Sequence, residues 1–363
     1  MPPGTIAVVT PPASDPIAED LLRRLPASPD AYPQKIDLTA LSVLLVQFSA
    51  SAYQAASFLD DRVLGPGSKG AWLPVDRVAD ASRAAANLRP VHFIFHTGHV
   101  GSTLVSRLLD ETGAVLSLRE PLPLRTLADA HDVLARADSL LTLGQFDLLL
   151  TTLVRLWARG YDATRCVVVK ATSSAGRLAV PLLAAVERSQ AIYMNLRAEP
   201  YLATLLAGPN SPLDLRGHGP ERIRRLGSFA AAPLPALHGL SLGELAAMSW
   251  LVESWTQRDA AKRFAGRILV VDFESLLSGV GEGVRQILAH FGLPDDDRVV
   301  SQLVRSPALT RYSKAPEYAF TPELRREVLR ESRRRNREEI SKGLDWLEGL
   351  ARSDAAVAAI VNS

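Results

Sequence analysis

The sequence predicts an α/β protein of three layers, with a central, mainly parallel sheet between two layers of helices. Continuous rather than alternating apolarity is typical of parallel strands that are buried on both faces. A well-marked helix over 284–291 has apolar residues at i, i+3, i+4 and i+7, and it ends at Gly292 and Pro294. The apolar runs that we interpret as strands are 91–96, 114–118, 166–169, 191–196 and 267–273.

The composition is that of an ordinary globular chain and excludes several classes of protein. Of 363 residues, 47% are apolar and 22% are charged, and 41 basic residues against 39 acidic ones leave a formal charge of +2. This balance lacks the basic field of a dedicated nucleic-acid binder, so we expect no nucleic-acid partner. The single cysteine, Cys166, excludes an internal disulfide and a cysteine-rich zinc module, and it indicates a reducing compartment.

Hydropathy predicts neither a membrane span nor a secretion signal. The best apolar run, 41–48, is interrupted by Ser42 and Gln47 and is far shorter than the roughly 20 residues that a span requires. The first residues lack the basic start and the long apolar core of a signal peptide. We therefore expect a soluble, cytoplasmic protein.

The chain before residue 91 has a different character. Residues 1–35 are rich in proline and have little periodicity, which is typical of a loose arm. Residues 36–90 suggest helices, because apolar side chains recur there at helical spacing. These side chains are Leu41, Leu44, Leu45 and Phe48. We expect an N-terminal arm and helical extension packed on the main domain (1–90), an α/β domain (91–350) and a C-terminal tail (351–363).

The most informative stretch follows the apolar run at 91–96. A short loop with two glycines leads into an amphipathic helix, whose first N–H groups are unpaired and carry partial positive charge. Glycines let such a backbone curl around an anion, and hydroxyl side chains add donors. The same residues also fit an ordinary strand-to-helix turn with a Ser or Thr cap. The residues of this candidate phosphate loop are Gly98, His99, Val100, Gly101, Ser102 and Thr103.

The candidate phosphate loop departs from the ATP/GTP signature, in which Gly-Lys-Ser/Thr ends the loop and the lysine reaches the phosphates. Here Gly101 is followed by Ser102, and the chain contains no Gly-Lys-Ser or Gly-Lys-Thr. A Mg²⁺/ATP-dependent kinase or NTPase stays as the alternative, because the apolar run 268–271 ends in Asp272, which could bind Mg²⁺.

Three segments, in this order, resemble the sulfotransferases that use 3′-phosphoadenosine 5′-phosphosulfate (PAPS). The first is the candidate phosphate loop, since the family's loop ends in Gly-Ser/Thr-Thr. The second is a strand that ends in Arg197, followed by Glu199-Pro200 and by the hydroxyl of Thr204. The third is a strand, a helix and a closing Phe-Gly-Leu-Pro turn over 268–294, which is similar to the family's third segment.

The resemblance covers residues 91–295. It implies a P-loop nucleotide-binding fold and the transfer of a sulfuryl group from PAPS to a hydroxyl or an amine. No metal is required if cationic side chains and backbone N–H groups stabilise the leaving group. The sequence departs from the family pattern at His99, where many members carry Lys or Arg, and at Thr204, which is one position from the common spacing.

The resemblance also implies roles for individual residues. A planar guanidinium suits a 3′-phosphate, a compact ammonium suits a bridging oxygen, and a buried glutamate has its pKa raised toward a useful value for a base. The residues implied in donor binding, besides the loop, are Arg197, Thr204, Arg311 and Lys314. The residues implied in catalysis are Glu120 as the base, His99 and Lys170.

Each of these roles has a plainer alternative. Arg197 could form a surface ion pair with Glu199, and Glu120 could be an exposed loop acid before a helix. Lys170 could end its strand in solvent, and Arg311 and Lys314 could belong to an ordinary connection. A non-catalytic binding protein of the same fold is a further alternative.

Three histidines lie close together in the sequence around the candidate phosphate loop. His92, His96 and His99 are joined by no carboxylate or cysteine at ligand spacing, so we expect no metal site. The acceptor, whether a small molecule, a glycan or a peptide, depends on loops that the three motifs do not include.

Overall fold

The computed structural model describes residues 15–311 and 321–362. Its strands, in chain order, are β1 (Ala31–Asp37), β2 (Ser42–Gln47), β3 (Gly70–Pro74), β4 (Val91–His96), β5 (Val115–Arg119), β6 (Cys166–Lys170), β7 (Ala191–Asn195) and β8 (Ile268–Asp272).

The helices before β8 are α1 (Pro16–Arg24), α2 (Ala50–Ala55), α3 (Val75–Arg83), α4 (Ser102–Asp110), α5 (Leu122–His131), α6 (Leu143–Trp157), α7 (Ala179–Ala185), α8 (Ala198–Leu206), α9 (Ser211–Gly217), α10 (Gly219–Leu226) and α11 (Leu242–Arg263). Those after it are α12 (Phe273–Ser278), α13 (Val280–His290), α14 (Asp297–Val304), α15 (Pro322–Arg335), α16 (Arg337–Ser353) and α17 (Ala355–Val361). Short 3₁₀ helices cover Asp61–Val63, Ser173–Leu178, Leu237–Gly239 and Pro307–Thr310.

The main sheet confirms the predicted α/β class. Its strand order is β5-β6-β4-β7-β8, and all four strand pairs are parallel. Each of the five apolar runs forms one of these strands. From β4 the chain next enters β5, at one edge of the sheet, and from β7 it next enters β8, at the other edge. The connections that leave the neighbouring strands β4 and β7 therefore run in opposite directions. Ligands of such sheets bind at the carboxyl ends of the strands where this reversal occurs.

Alternate residues of the central strands enter two separate cores. Phe93 and Phe95 of β4 pack with Tyr193 of β7 in the core on one face. Ile94 packs with Ile192 in the core on the other face, beneath α4 and α11. Because both faces are covered, β4 is buried along its whole length, which explains its continuous apolarity.

The prediction of a helical region over 36–90 is wrong for 42–47 and 70–74, which form strands, and is confirmed for 50–55 and 75–83, which form helices. β1, β2 and β3 form a separate antiparallel sheet in that order, and helices α1, α2 and α3 lie beside it. In β2, Val43 and Leu45 are buried and Leu44 points to the other side, so the side chains alternate with period two. A short apolar run fits helical and strand spacing equally well, and only the pairing with β1 and β3 distinguishes them.

Buried arginines of the main domain attach this N-terminal layer. Arg159 donates hydrogen bonds to the carbonyl oxygens of Leu25 and Ala31, at 2.8 Å each. Arg119, at the end of β5, donates to the carbonyls of Tyr53 and Ala56, at 3.0 and 2.7 Å. The prediction of a loose arm is therefore wrong for 16–35, which include α1 and the start of β1, and residues 1–14 lie outside the described part of the chain.

The C-terminal helices pack on the main domain. α16 runs past residue 350 along α11, and α17 follows with Val357 and Ile360 buried. Among the described residues, no helix combines the length and the apolarity that a membrane crossing needs.

Candidate functional site at the carboxyl edge of the sheet

The candidate phosphate loop has the curled backbone that anion binding requires. Between β4 and α4, Gly98, His99 and Gly101 have φ angles of 112°, 54° and 70°. Left-handed residues at these positions turn successive N–H groups toward one side, as in anion-binding nests. His99 is exposed at the tip of the loop and holds this conformation without being glycine. Such local strain is typical of functional sites.

Close packing explains the two glycines. A Cβ on Gly101 would overlap the ring of Phe273, at 2.5 Å from Cζ and 2.9 Å from Cδ2. A Cβ on Gly98 would lie 3.3 Å from the hydroxyl oxygen of Tyr201. The loop is therefore held between α8 and the start of α12, and Val100 is buried beneath it.

Buried hydroxyls surround the start of α4. Thr97, Ser102 and Thr103 are each at most 5% exposed. No described residue is a hydrogen-bond partner of the Thr97 or Thr103 hydroxyl. A buried hydroxyl without a partner is costly, and an anion with several acceptor oxygens would satisfy these donors together with the N-terminal N–H groups of α4.

Lys170 and Glu120 form an ion pair beside the loop. β5 and β6 are neighbours, and the register that pairs Arg119 with Lys170 places Glu120 directly after the pair. The Lys170 side chain is 1% exposed and that of Glu120 11% exposed, and the ammonium contacts Oε1 of the carboxylate. The interpretation of Lys170 as a lysine that reaches solvent is therefore wrong, and so is that of Glu120 as an exposed acid.

The backbone around Glu120 is also strained. Glu120 has a φ of 52°, and its N–H donates to the carbonyl of Lys170 at 2.7 Å. Its neighbour Arg119 turns away, because its guanidinium forms an ion pair with Asp110 of α4. Burial and the nearby Arg107 lower the pKa of Arg119 to about 9. The arrangement keeps one carboxylate and one ammonium together at the strand ends.

Arg197 follows β7 on the other side of β4. It is the N-cap residue of α8 and is exposed, and its side chain makes no hydrogen bond or ion pair with any residue in 15–311 or 321–362. The alternative ion pair with Glu199 is wrong, because Glu199 pairs with Arg333 at 2.7 Å. The Thr204 hydroxyl, two turns along α8, donates to the Pro200 carbonyl at 2.6 Å.

Arg311 lies on the β5 side of the sheet. It is exposed and lines a pocket of about 340 Å³ together with Arg107, Arg119 and Glu111. Since β5 and β7 lie on opposite sides of β4, this pocket is separate from the strand end that carries Arg197. Lys314 lies outside the described residues.

The histidines near the loop have structural contacts. His96 Nε2 lies 2.9 Å from the Ala171 carbonyl, and the His92 ring stacks on Phe291. Burial and the nearby His290 lower the pKa of His92 to about 4, so its ring is neutral at pH 7. Among the described residues, no group of three or more His, Cys, Asp or Glu side chains has the geometry of a metal site.

Sequence reasoning missed the residues that support the loop from distant elements. The Tyr201 hydroxyl, beside Gly98, lies 3.0 Å from the Ser249 hydroxyl of α11. Ser173, after β6, also approaches Gly98. Tyr201 falls four residues after Arg197, but no local pattern indicates that its hydroxyl faces the loop.

Comparison with known proteins gives matches at the level of structure. No protein-family model matches the sequence, and no curated protein matches it. The chain is similar to the sulfotransferase domain from the curacin biosynthetic pathway, with 13% identity, a TM-score of 0.39 and coverage of 65% of this chain and 84% of that one. A sulfotransferase from Alicyclobacillus acidocaldarius shows 15% identity, a TM-score of 0.39 and coverage of 73% and 96%.

Mouse sulfotransferase SULT7A1, complexed with PAP, shows 11% identity, a TM-score of 0.33 and coverage of 73% and 92%. All three proteins are sulfotransferases, the family that the sequence motifs resemble. At these identities and TM-scores the fold and the chemistry of this chain are argued from its own strands and its own site.

Proposed function

We propose that this protein is a sulfotransferase that moves a sulfuryl group from PAPS to a hydroxyl or amine of an acceptor. The observation that carries the proposal is the charge of the strand ends beside the candidate phosphate loop. β6 ends in Lys170, and the chain leaving β7 begins with Arg197. Two cations thus flank the candidate phosphate loop, which has no lysine of its own.

The curled loop and the orphaned hydroxyls support binding of the donor. N–H groups of the loop and of α4, with Thr97 and Thr103, fit the 5′-phosphosulfate oxygens. The exposed guanidinium of Arg197 suits the 3′-phosphate, which a planar fork can bind through two hydrogen bonds.

Lys170 and Glu120 supply the chemical groups that transfer needs. The acceptor oxygen or nitrogen attacks sulfur, the sulfur–oxygen bond to the 5′-phosphate breaks, and the acceptor proton passes to the Glu120 carboxylate. Lys170 stabilises charge on the departing phosphate oxygen, and His99 at the loop tip is placed to assist. Contact with Lys170 holds the Glu120 carboxylate in place beside the reacting groups.

The kinase or NTPase alternative is less well supported. Its candidate Mg²⁺ ligand, Asp272, ends the edge strand β8, and β7 separates that strand from β4. Asp272 also caps α12, since its Oδ1 accepts hydrogen bonds from the Ser275 N–H and hydroxyl at 2.8 Å each. The neighbours of β4 end in Lys170 and Asn195, so neither places a carboxylate beside the loop.

Isothermal titration calorimetry with 3′-phosphoadenosine 5′-phosphate tests the donor site. We expect metal-independent binding that the Arg197→Ala variant weakens at least tenfold, about 1.4 kcal/mol. Arg188→Ala is the matched control, because Arg188 is an exposed arginine before the opposite end of β7. Tighter binding of ATP with Mg²⁺ would instead favour the kinase, and no measurable binding of either nucleotide would favour a non-catalytic protein.

A further inference from the structure

A segment of the N-terminal layer lies directly against Glu120. The Leu59 N–H donates to the Arg119 carbonyl at 2.7 Å, and the Leu59 carbonyl accepts from the Leu122 N–H at 3.2 Å. The two hydrogen bonds join Leu59 to the residue before Glu120 and to the residue after Pro121. Leu59 is 1% exposed, which anchors the segment firmly. The residues on either side of Leu59 are therefore held beside the carboxylate.

The segment carries an aromatic ring and an arginine at this position. Arg62 lies over the Phe58 ring, 3.6 Å from its centroid. Arg62 Nε also donates to both carboxylate oxygens of Asp60, at 2.8 and 3.1 Å. The hydrogen bond that Arg62 donates to Asp60 and the charge of Glu120 both raise the pKa of Arg62. The arginine is thus fixed three residues along the segment from Leu59, which is hydrogen-bonded to the residues on either side of Glu120 and Pro121.

A second arginine approaches from α5, the helix that begins after Glu120. Arg125 is exposed, and its side chain makes no hydrogen bond or ion pair within the described ranges. Although burial opposes the shift, hydrogen bonds from Arg62 and the charge of Arg125 lower the pKa of Asp60. Arg125 stands one turn along α5 from Leu122, whose N–H is bonded to the Leu59 carbonyl, so it lies beside the same segment.

The charges of this group do not cancel. Lys170 is paired with Glu120, Arg62 with Asp60, and Lys35 with Asp61 of the same segment. The guanidinium of Arg125 has no such pair, so the approach to Glu120 carries an excess positive charge. A negative group on the acceptor would be attracted to it, whereas a cationic acceptor would be repelled.

We propose that the acceptor binds between the segment 58–62 and α5, and that Arg125 and Arg62 select acceptors that carry an anionic group near the reacting hydroxyl. The half-buried Phe58 ring, which carries Arg62 over one face, adds apolar surface beside this site. This inference rests on the proposed sulfotransferase function and assigns its substrate class. It also gives the N-terminal layer a direct part in acceptor recognition.

Three matched phenols test the inference: 3-(4-hydroxyphenyl)propionate is anionic, 4-propylphenol is neutral and tyramine is cationic. Their affinities for the protein loaded with 3′-phosphoadenosine 5′-phosphate are measured by calorimetry, and their turnover with PAPS by release of the bisphosphate. We expect the anionic phenol to bind about tenfold more tightly than the neutral one, the effect of one charge-assisted hydrogen bond, and tyramine to bind most weakly.

Variants separate recognition from folding. Arg125→Gln and Arg62→Gln should each weaken binding of the anionic phenol more than binding of the neutral phenol, so that the preference between the two falls. Arg77→Gln, at an exposed arginine of α3 that pairs with Glu19, should leave the preference as it is. Equal affinity for all three phenols, no measurable binding of the anionic one, or a preference that survives in Arg125→Gln would overturn the inference.

The same titrations distinguish failure of the inference from failure of the proposed function. If the bisphosphate binds and depends on Arg197 but the phenols show no charge preference, only the acceptor class is wrong. If the bisphosphate does not bind, the donor site is wrong, and the inference that rests on it is overturned with it.

Discussion

Replacing Gly101 with alanine should destabilise the protein through the candidate phosphate loop, because two separate costs act there. The φ of 70° is unfavourable for any residue with a Cβ, at about 1–2 kcal/mol. The new Cβ would also overlap the Phe273 ring, and overpacking of this kind costs roughly 1–3 kcal/mol. We expect the free energy of unfolding to fall by about 2–5 kcal/mol.

A matched control isolates the packing cost. Gly113 has a φ of 68° but is exposed, with no atom within 4 Å of the position of its Cβ. Gly113→Ala should therefore carry only the conformational cost of about 1–2 kcal/mol. Combining Gly101→Ala with Phe273→Leu should recover part of the loss, so that the double variant is less destabilised than the sum of the single changes.

Urea unfolding at constant pH measures the stability of Gly101→Ala, Gly113→Ala, Phe273→Leu and the double variant. Calorimetry measures their affinity for 3′-phosphoadenosine 5′-phosphate. Affinity should fall at least tenfold in Gly101→Ala and stay unchanged in Gly113→Ala, because only the first displaces the N–H groups at the start of α4. Equal destabilisation by the two alanines would refute the packing argument. Unchanged affinity in Gly101→Ala would refute the role of this loop in binding the anion.

Three further predictions concern the site and its surroundings. Glu120→Gln should lower kcat by about 10²–10⁴-fold while the bisphosphate affinity is retained, and full activity in this variant would remove Glu120 as the base. His92 stays neutral in the fold, where burial and His290 lower its pKa to about 4, so the unfolded chain binds the proton first. The free energy of unfolding should therefore fall by about 3 kcal/mol as the pH drops from 6.5 toward 4. In urea unfolding at a series of pH values, His92→Gln should lack this decrease. Arg225→Met leaves the buried Glu253 without its partner and should cost about 3–5 kcal/mol in urea unfolding, whereas a loss below about 1 kcal/mol would contradict the ion pair's role.

The five strands of the main sheet were predictable because their signal is local. Each is a short, continuous apolar run, and burial on both faces demands that pattern wherever the strand lies in the sheet. The order β5-β6-β4-β7-β8 has no such local signature, since any order of five similar strands would produce the same runs. The apolar run of β2 shows the opposite case, because its spacing suited a helix and pairing with β1 and β3 made it a strand.

The candidate site divides in the same way. The residues of the phosphate loop are contiguous, so glycines and hydroxyls in one stretch were enough to indicate an anion site. The partner of Lys170 was not readable, because Glu120 is 50 residues away and meets it only when β5 and β6 pair. Likewise, Glu199 stands two residues from Arg197 but pairs with Arg333 on α15.

The sequence by itself determined the α/β class, the position of the candidate phosphate loop and the cationic residues that follow the strands, since each depends on residues that are neighbours in the chain. Only the tertiary structure decided which of those residues meet. It paired Lys170 with Glu120, left the side chain of Arg197 without an ion-pair partner among the described residues and brought the segment around Leu59 against Glu120. These contacts depend on strand order and on the docking of the N-terminal layer, which arise from burial summed over the whole molecule.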